Sequence, residues 1–286
     1  MRILLTGASG QVGFELERSL QGLGQVIAVD RSRMDLADLD QVRSVIRAVQ
    51  PTLIVNPAAY TAVDKAESEP DLAHRINAEA PGVMAEEAKR LGAAMVHYST
   101  DYVFDGAKAG AWREDDATGP LNVYGRSKLE GEQAIAASGA DHLILRTSWV
   151  YGMRGKNFLL TMLRLGQERA ELKVVADQHG APTWSRSIAE VSAVLLAQAR
   201  AGGRPWWEQH GGIYHLSSQG QTTWAGFTEA IFAARHLDCR VLPITSAEYP
   251  VPARRPLNSV LDSSKLRASL CELPDWQAAL ALCLAS

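Results

Sequence analysis

The sequence predicts an α/β protein with a doubly wound parallel sheet and a smaller, mixed α/β lobe. Two patterns support this fold class. Short aliphatic or β-branched runs alternate with longer amphipathic stretches through the first half, and a glycine-rich turn separates the first run from the first stretch. The alternation loosens after Tyr151, so we expect one domain over residues 1–152. A second lobe should cover residues 153–286, with some of its segments returning to the first domain.

The elements of the first half follow from period and residue type, because apolar residues recur every three or four positions in helices and β-branched runs favour strands. The predicted strands are Arg2–Leu5, Val26–Val29, Leu53–Asn56, Ala94–Thr100 and Leu143–Thr147. The predicted helices are Val12–Leu20, Leu39–Val49, Asp71–Leu91 and Val123–Ala137. These helices should cover both faces of the sheet.

The second half contains fewer regular patterns. Helices are predicted at Phe158–Glu168, Ile188–Ala199 and Ala225–Arg235, and strands at Leu172–Ala176 and Tyr214–Leu216. Two stretches rich in turn residues, Gly202–Gly212 and Tyr249–Pro256, interrupt this half.

Composition excludes several classes of protein. The 286 residues include 29 Lys and Arg against 32 Asp and Glu, a net charge of −3, which argues against a nucleic-acid or membrane-surface protein. The first apolar run, Ile3–Leu5, is far shorter than a signal-peptide core of roughly 7 to 15 residues, and no stretch reaches the ~18 apolar residues of a membrane span. Cys239, Cys271 and Cys283 match neither a zinc site nor a redox pair. We therefore expect reduced thiols and a cytoplasmic location.

Three glycines directly follow the first predicted strand. Gly7, Gly10 and Gly13 are spaced Gly-x-x-Gly-x-x-Gly and lead into the first helix. Glycines there permit a tight turn, a close approach of a pyrophosphate to the backbone, and close packing of helix on strand. The position of the motif, more than its composition, predicts a Rossmann-type dinucleotide-binding domain.

The end of the second strand carries conflicting indications of cofactor preference. Asp30 lies about 20 residues beyond the glycine loop, where an acidic side chain accepts hydrogen bonds from the adenosine ribose of NAD. Arg31 and Arg33 follow it and could accommodate the 2′-phosphate of NADP. A turn-capping Asp30 and solvated arginines are the structural alternative.

Tyr124 and Lys128 lie four residues apart in a predicted helix, so both side chains point to one face. A phenol that titrates near ~10 is a poor acid–base catalyst at neutral pH, and a nearby ammonium favours its ionised form. We expect Lys128 to lower the pKa of Tyr124 and to hold the nicotinamide ribose. Solvent-exposed side chains are the alternative.

The fourth predicted strand ends in hydroxyl side chains at Ser99 and Thr100. Open α/β sheets bind ligands at the carboxyl ends of their strands. A hydroxyl there can hydrogen-bond a substrate carbonyl and the Tyr124 oxygen, although Thr100 could also simply terminate the strand. The ordered set of glycine loop, acid, hydroxyl and Tyr-x-x-x-Lys predicts an oxidoreductase.

This set resembles the extended short-chain dehydrogenase/reductases, and within them the dTDP-4-dehydrorhamnose reductase family. The resemblance extends through almost the whole chain. The matching stretches are Gly10–Gly13, Tyr60–Glu67, Ser99–Phe104, Pro120–Gly125, Arg146–Tyr151, Gly180–Thr183 and Ala253–Pro256.

The resemblance implies reduction of the 4-keto group of dTDP-4-dehydro-β-L-rhamnose to dTDP-L-rhamnose, with NADPH or NADH as hydride donor. It implies that Tyr124 donates the proton, Lys128 supports it and Thr100 tunes it. The implied cofactor contacts are Gly7, Gly10, Gln11, Val12, Gly13, Asp30, Arg31, Asp35, Leu36, Ala59, Tyr60, Thr61, Tyr98, Tyr124 and Lys128. The implied substrate contacts are Thr100, Asp101 and Trp149, with Asn157, Trp224 and Arg255 from the second lobe.

One departure from the family concerns a metal. Some members carry a glutamate, assigned to magnesium at a dimer interface, where this chain has Arg186. A guanidinium cannot ligate a cation. The departure argues against both the metal and that dimer, although Glu15 and Glu190 remain available as ligands. We expect a monomer or a homodimer.

Two other functions use the same fold. A sugar-nucleotide epimerase or dehydratase would employ the same Tyr and Lys, but dehydratases place acidic residues beside the threonine, and here Asp101 is followed by Tyr102. A non-catalytic regulatory subunit would not need to keep Tyr124, Lys128 and Thr100 together.

Overall fold

The computed structural model describes residues 1–285 and is α/β, as predicted. The strands are β1 (Arg2–Leu5), β2 (Gln25–Ala28), β3 (Leu53–Asn56), β4 (Ala94–Thr100), β5 (His142–Thr147), β6 (Val150–Tyr151), β7 (Glu171–Val175), β8 (His179–Gly180), β9 (Thr183–Trp184), β10 (Gly212–His215), β11 (Thr222–Thr223) and β12 (Arg240–Ile244). The helices are α1 (Gln11–Ser19), α2 (Leu39–Val49), α3 (Val63–Ala66), α4 (Pro70–His74), α5 (Ala80–Leu91), α6 (Val123–Ser138), α7 (Phe158–Glu168), α8 (Ser185–His210), α9 (Trp224–Arg235), α10 (Ser264–Ser269) and α11 (Trp276–Ala285).

Six strands form a parallel central sheet in the order β10-β5-β4-β3-β1-β2. The chain runs from β1 outwards to β2 and then crosses to β3 on the other side of β1. This reversal creates a crevice at the carboxyl ends of β1 and β3, where doubly wound sheets bind their ligands. Three two-stranded pairings complete the sheet structure: β7 with β12 and β6 with β9 run parallel, and β8 with β11 runs antiparallel.

The two faces of the central sheet carry separate apolar cores, because alternate side chains of a strand point to opposite faces. Ile3 and Leu5 pack with Leu16 of α1 and Ile188 of α8 on one face. On the other face, Leu4 packs with residues of α2, α5 and α6. A third core joins α7, α9 and α11 to β7 in the second lobe.

The predicted helix Asp71–Leu91 is helical throughout but contains a π-helical turn at Arg75–Glu79, between α4 and α5. Pro81 has no N–H to continue the regular ladder. A Cβ on Gly131 would lie 2.1 Å from the Asn77 carbonyl oxygen, so α6 packs directly against this turn. The turn thus follows from a proline and a close helix–helix approach.

The predicted turn-rich stretch Gly202–Gly212 is wrong. Helix α8 continues to His210, with a kink at Gly203, whose φ of 59° and ψ of −147° are non-helical. Pro205 lies at the start of the helical segment after the kink, where a missing N–H is tolerated. The buried Trp206 anchors that segment in the core.

Strand β10, predicted at Tyr214–Leu216, pairs with β5 as an edge strand of the central sheet. A segment of the second half therefore completes the first domain's sheet, while the boundary near residue 152 stays a prediction. The sequence did not predict β12, α10 or α11. No helix among residues 1–285 combines the length and apolarity needed to cross a membrane.

Candidate active site

A cavity of about 520 Å³ lies at the reversal point of the sheet. Most of its lining comes from the residues that follow β1, β2 and β3, from the carboxyl ends of β4 and β5, and from the first turns of α1 and α6. All fifteen residues predicted to contact a dinucleotide line it. They are Gly7, Gly10, Gln11, Val12, Gly13, Asp30, Arg31, Asp35, Leu36, Ala59, Tyr60, Thr61, Tyr98, Tyr124 and Lys128.

The glycine loop has the geometry that a dinucleotide requires. Gly7 has a φ of +59°, and the Gly10 amide donates to its carbonyl at 2.9 Å, which closes the turn. A Cβ on Gly13 would lie 2.0 Å from the Gly7 carbonyl oxygen, so α1 can approach the loop only with glycine there. Gly10 at the N-cap has no side chain to occupy the first helical N–H groups, which leaves them to an anion.

The cofactor-preference residues lie at the rim of this cavity. Asp30 Oδ1 accepts hydrogen bonds from the Ser32 hydroxyl at 2.6 Å and the Ser32 amide at 2.9 Å, and these bonds lower the pKa of Asp30. Arg31 pairs with Asp35 at 3.3 Å while its side chain stays 76% exposed. Asp30 is thus ionised at neutral pH, and Arg31 can turn towards a phosphate.

Tyr124 lies in the first turn of α6, which Asn122 caps by accepting from the Gly125 amide at 2.8 Å. Burial raises the pKa of Tyr124 to about 12, although a hydrogen bond with the Thr100 side chain opposes the shift. The pKa of Tyr124 was expected to be lowered by Lys128, but it is raised, and Lys128 is not among the groups that shift it. The phenol is protonated at neutral pH.

The Lys128 ammonium is buried beneath the cavity and bonded to β4. Its Nζ donates to the Tyr98 carbonyl at 2.7 Å and lies 3.0 Å from His97 Nε2. Burial lowers the pKa of Lys128 to about 7, while the charge of Glu132 opposes the change. The amine therefore titrates near neutral pH.

Thr100 joins Tyr124 to a buried acid. The Thr100 hydroxyl donates to Asp101 Oδ1 at 2.9 Å, and the hydrogen bond between Thr100 and Tyr124 completes the cluster. Burial raises the pKa of Asp101 to about 6, opposed by hydroxyls of Ser259, Thr100 and Ser148. Three predicted residues, Thr100, Asp101 and Tyr124, thus share one hydrogen-bonded group.

The predicted second-lobe contacts serve partly as structural links. Trp149 has a φ of 47° and stacks on Trp224 at 3.6 Å between ring centroids. Asn157 caps α7 and donates to Gln11 Oε1 at 2.8 Å, which ties the glycine loop to the second lobe. Arg255 donates to Asp64 Oδ2 at 2.9 Å, and its charge reaches Tyr124.

Several cavity residues were not predicted. The further lining residues are Thr6, Ser9, Met34, Pro57, Ala58, Ala62, Ile76, Ser99, Thr147 and Val150. Most of them adjoin a predicted residue at a strand end, so strand position could have indicated them. Asn77 does not line the cavity, but it supports Tyr60, because its amide donates to the Tyr60 carbonyl and the Ser127 hydroxyl from the π-helical turn. Nothing in the local sequence indicates that role.

The residues around Glu15 do not fit the magnesium site of some family members. Arg186 Nε donates to Glu15 Oε2 at 3.3 Å, so the positively charged guanidinium of Arg186 already faces this carboxylate. Glu190 is exposed. Among residues 1–285, no three His, Cys, Asp or Glu side chains are grouped to hold a metal.

The model of the RmlD substrate binding domain family matches residues 1–286. The chain belongs to this family. It is 51% identical to the dTDP-4-dehydrorhamnose reductase of Burkholderia thailandensis, covering 99% of this chain and 98% of that protein. It is 45% identical to the Escherichia coli K12 reductase over 97% and 95% of the two chains. The predicted resemblance is confirmed.

Solved structures agree with this assignment. A reductase from Clostridium acetobutylicum superposes with a TM-score of 0.92 and 37% identity, over 100% of this chain and 99% of that one. The Bacillus anthracis reductase, described in complex with NADP, superposes with a TM-score of 0.90 and 35% identity, over 99% of this chain and 98% of that one. A UDP-glucose 4-epimerase from Thermus thermophilus shares the fold, with a TM-score of 0.80 and 21% identity, over 100% of this chain and 98% of that one.

Proposed function

We propose that this protein reduces the 4-keto group of dTDP-4-dehydro-β-L-rhamnose to dTDP-L-rhamnose, the last step in the synthesis of that sugar nucleotide. One observation carries the proposal: all fifteen predicted cofactor residues, Tyr124 and Lys128 among them, line one cavity, and Thr100 hydrogen-bonds Tyr124, in a chain 51% identical to a named reductase. The fold, the site and the family therefore point to one reaction.

NADPH supplies a hydride to the keto carbon when it is bound, and NADH is expected to substitute for it. The cradle fits a dinucleotide, because the glycine loop brings backbone N–H groups towards the cavity and leaves no room for side chains. Gln11, Val12, Tyr60 and Thr61 would hold the pyrophosphate and nicotinamide halves. Asp30 and Arg31 would meet the adenosine ribose and its 2′-phosphate.

Tyr124 acts as the proton donor. A carbonyl that receives a hydride becomes an alkoxide, and a group that is protonated at neutral pH must neutralise it. The raised pKa of Tyr124 keeps its proton in place until the alkoxide forms. The Thr100 hydroxyl has one proton, which it donates to Asp101. When Tyr124 becomes a phenolate, this hydroxyl can rotate to donate to the phenolate oxygen instead and so stabilise the phenolate.

Lys128 supplies the positive charge in this reaction. An ammonium beside the phenolate and the ribose stabilises the charge that develops when Tyr124 gives up its proton. With a pKa of about 7, the Lys128 amine also exchanges protons readily at neutral pH. This exchange allows the Tyr124 phenolate to be reprotonated between turnovers. This assignment of roles follows the family resemblance.

A second cavity, of about 490 Å³, is our candidate for the nucleotide part of the substrate. It lies between Leu121, Gln178 and the segment Tyr249–Arg255. Asn122, the cap of α6, donates to the Arg254 carbonyl at 2.8 Å, so this cavity adjoins the helix that carries Tyr124. Arg254 and Arg255 offer positive charge to a diphosphate, and Asp101 and Trp149 would contact the sugar.

The rival functions receive less support. The epimerase and a dTDP-glucose 4,6-dehydratase share the fold at only 21% identity, and Tyr102 rather than a second acid follows Asp101. A regulatory subunit would bind the dinucleotide without turnover. The predicted cytoplasmic location, and a monomer or homodimer, remain predictions.

The test is incubation of the purified protein with dTDP-4-dehydrorhamnose and each reduced cofactor, followed by the loss of nicotinamide absorbance and chromatography of the product. Stoichiometric formation of dTDP-L-rhamnose is expected. An epimerised product without net cofactor oxidation would indicate an epimerase, and cofactor binding without turnover would indicate a regulatory protein.

A further inference from the structure

A chain of four buried polar side chains runs beneath the cavity. Lys128 Nζ lies 3.0 Å from His97 Nε2, and His97 Nδ1 lies 3.0 Å from Asn56 Nδ2. Asn56 Oδ1 lies 2.6 Å from the Thr6 hydroxyl. None of the four residues is more than 1% exposed. Each of these atoms must therefore find its partner within the chain.

Counting protons fixes the state of the imidazole. Burial, together with the charge of Lys128, lowers the pKa of His97 well below its ordinary value, so the ring is neutral and carries one N–H. While Lys128 is charged its ammonium can only donate, so in that state Nε2 is the acceptor and the ring proton lies on Nδ1. In the structure the side-chain nitrogen of Asn56 faces Nδ1, so the Nδ1–H form requires this amide to be turned by half a turn, with its oxygen accepting from Nδ1–H and its nitrogen donating to the Thr6 hydroxyl.

Lys128 has three N–H groups to place. The Tyr98 carbonyl accepts one and His97 Nε2 accepts a second. The third is left for the cavity that Lys128 lines together with Tyr124. Glu132, on the same helix, is the charged group that favours the ammonium, and it is itself paired with Arg146. His97 is the titratable group that faces Nζ from the sheet.

We propose that His97 is a positioning residue: its neutral imidazole, held in the Nδ1–H form by Asn56, accepts one ammonium N–H of Lys128 and so directs the remaining one to the cofactor ribose and Tyr124. The proposal rests on the proposed function for the identity of that cofactor. It assigns a role to a residue that contacts neither substrate nor cofactor.

The effect of losing this acceptor has a definite sign. Without Nε2, the buried ammonium keeps one protein acceptor and its charged form is destabilised, so the pKa of Lys128 falls. The loss of one hydrogen bond to a charged group corresponds to a shift of about one to two pH units. In a plot of kcat against pH, the apparent pKa of the alkaline limb should fall by that amount. The value of kcat at neutral pH should fall about tenfold.

The test compares His97→Leu with His97→Gln. A glutamine amide oxygen can reach the position of Nε2 and restore the acceptor, whereas leucine cannot. We expect His97→Leu to show the shifted limb and a weaker affinity for NADPH, with KM for the sugar nucleotide unchanged. His97→Gln should stay within about threefold of the native kcat, with the native limb. If leucine leaves the profile native, or if glutamine shifts it as far as leucine, the proposal is overturned.

A matched control separates positioning from stability. His215 on β10 is another buried, neutral histidine, which packs against the Phe104 ring at 5.7 Å between centroids. His215→Leu should lower the melting temperature about as much as His97→Leu but leave the alkaline limb in place. An equal shift from this control would contradict the proposal. If His97→Leu does not fold, His97→Asn replaces it, because asparagine reaches Asn56 but not Lys128.

Two readouts do not depend on turnover. Histidine NMR of the native protein should show the Nδ1–H tautomer for His97, and finding the Nε2–H tautomer would refute the proposal. NADPH affinity, measured by calorimetric titration at a series of pH values, should decrease as the pH rises. In His97→Leu this decrease should begin at a lower pH than in the native protein. If the native protein binds NADPH but does not reduce the sugar, the proposed function fails while both measurements still test His97.

Discussion

Arg186 Nε lies 3.3 Å from Glu15 Oε2, and this ion pair joins α8 to α1. The Glu15 carboxylate is largely buried, at 13% exposure, while the Arg186 side chain stays 41% exposed. Arginine therefore neutralises a carboxylate that would otherwise repel other acidic groups or recruit a cation. The pair places the Arg186 guanidinium against the Glu15 carboxylate, where the family resemblance had suggested a second acid.

We predict that magnesium is needed for neither activity nor assembly. Treatment with a chelator should leave both kcat and the mass measured by light scattering unchanged. Arg186→Glu should behave differently: two facing carboxylates should lower the melting temperature, and magnesium should restore it. Arg186→Gln is the control that removes the charge without adding a ligand. A magnesium-dependent mass of the native protein would contradict the prediction and point to Glu15 and Glu190 as ligands.

Tyr124→Phe should fold normally but lose most of its kcat. The substitution removes only the phenolic oxygen, so the edge-to-face contact with Tyr102, at 5.9 Å between ring centroids, is kept. General acid catalysis contributes typically ~10²–10⁴-fold, and the loss should fall in that range. Steady-state kinetics with NADPH would measure it, with circular dichroism as the check on folding. Turnover close to the native rate would exclude the proposed role.

The native protein should accept both NADPH and NADH, and Asp30→Ala should shift its preference towards NADPH. The carboxylate is ionised and lies at the cavity rim, where it repels a 2′-phosphate and accepts from a free ribose hydroxyl. Removing it should raise KM for NADH and lower or preserve KM for NADPH. Asp38→Ala, which removes the cap of α2 and no cavity residue, is the control. A shift towards NADH would place Asp30 away from the ribose.

The central sheet was predictable because its strands are local patterns. Leu53–Asn56 and Ala94–Thr100 are apolar runs that end in polar residues, and both were predicted to the residue. The kink of α8 was misread, because glycines and Pro205 usually mark turns, whereas the burial of Trp206 overrides them here. Helix α11 was missed because it is apolar on every side and shows no helical period.

The same contrast holds in the site. The glycine loop and Tyr124 with Lys128 are contiguous motifs, and their positions and order along the chain, more than either spacing alone, predicted a dinucleotide site. His97 looked like an ordinary strand residue, because its partners Asn56 and Lys128 lie 41 and 31 positions away in the chain. The pKa of Tyr124 was predicted in the wrong direction for a related reason: burial depends on the whole fold, and it outweighs the Thr100 hydrogen bond and the charge of Arg255, which lower this pKa.

Glu87 provides a prediction about acid stability. Its side chain is 3% exposed and meets Arg47 at 2.6 Å and Arg90 at 2.5 Å. The hydrogen bonds with Arg47 are the largest cause that lowers the pKa of Glu87 from 4.5 to about 2. Because the folded-state pKa is lowered, the stabilisation is complete above pH 4.5 and is lost as the pH falls towards 2.

We therefore expect Glu87→Gln to be destabilised by roughly 1–2 kcal/mol at neutral pH, since the paired arginines keep about half of their side chains exposed and solvent screens the charges. Denaturant unfolding across pH would measure it, and the difference from the native protein should disappear in the acid window. Glu208→Gln, which breaks the exposed pair with Arg204 at 2.9 Å, should change stability little at any pH. A constant difference between Glu87→Gln and the native protein at every pH would show that packing, and not the ionised carboxylate, stabilises this part of α5.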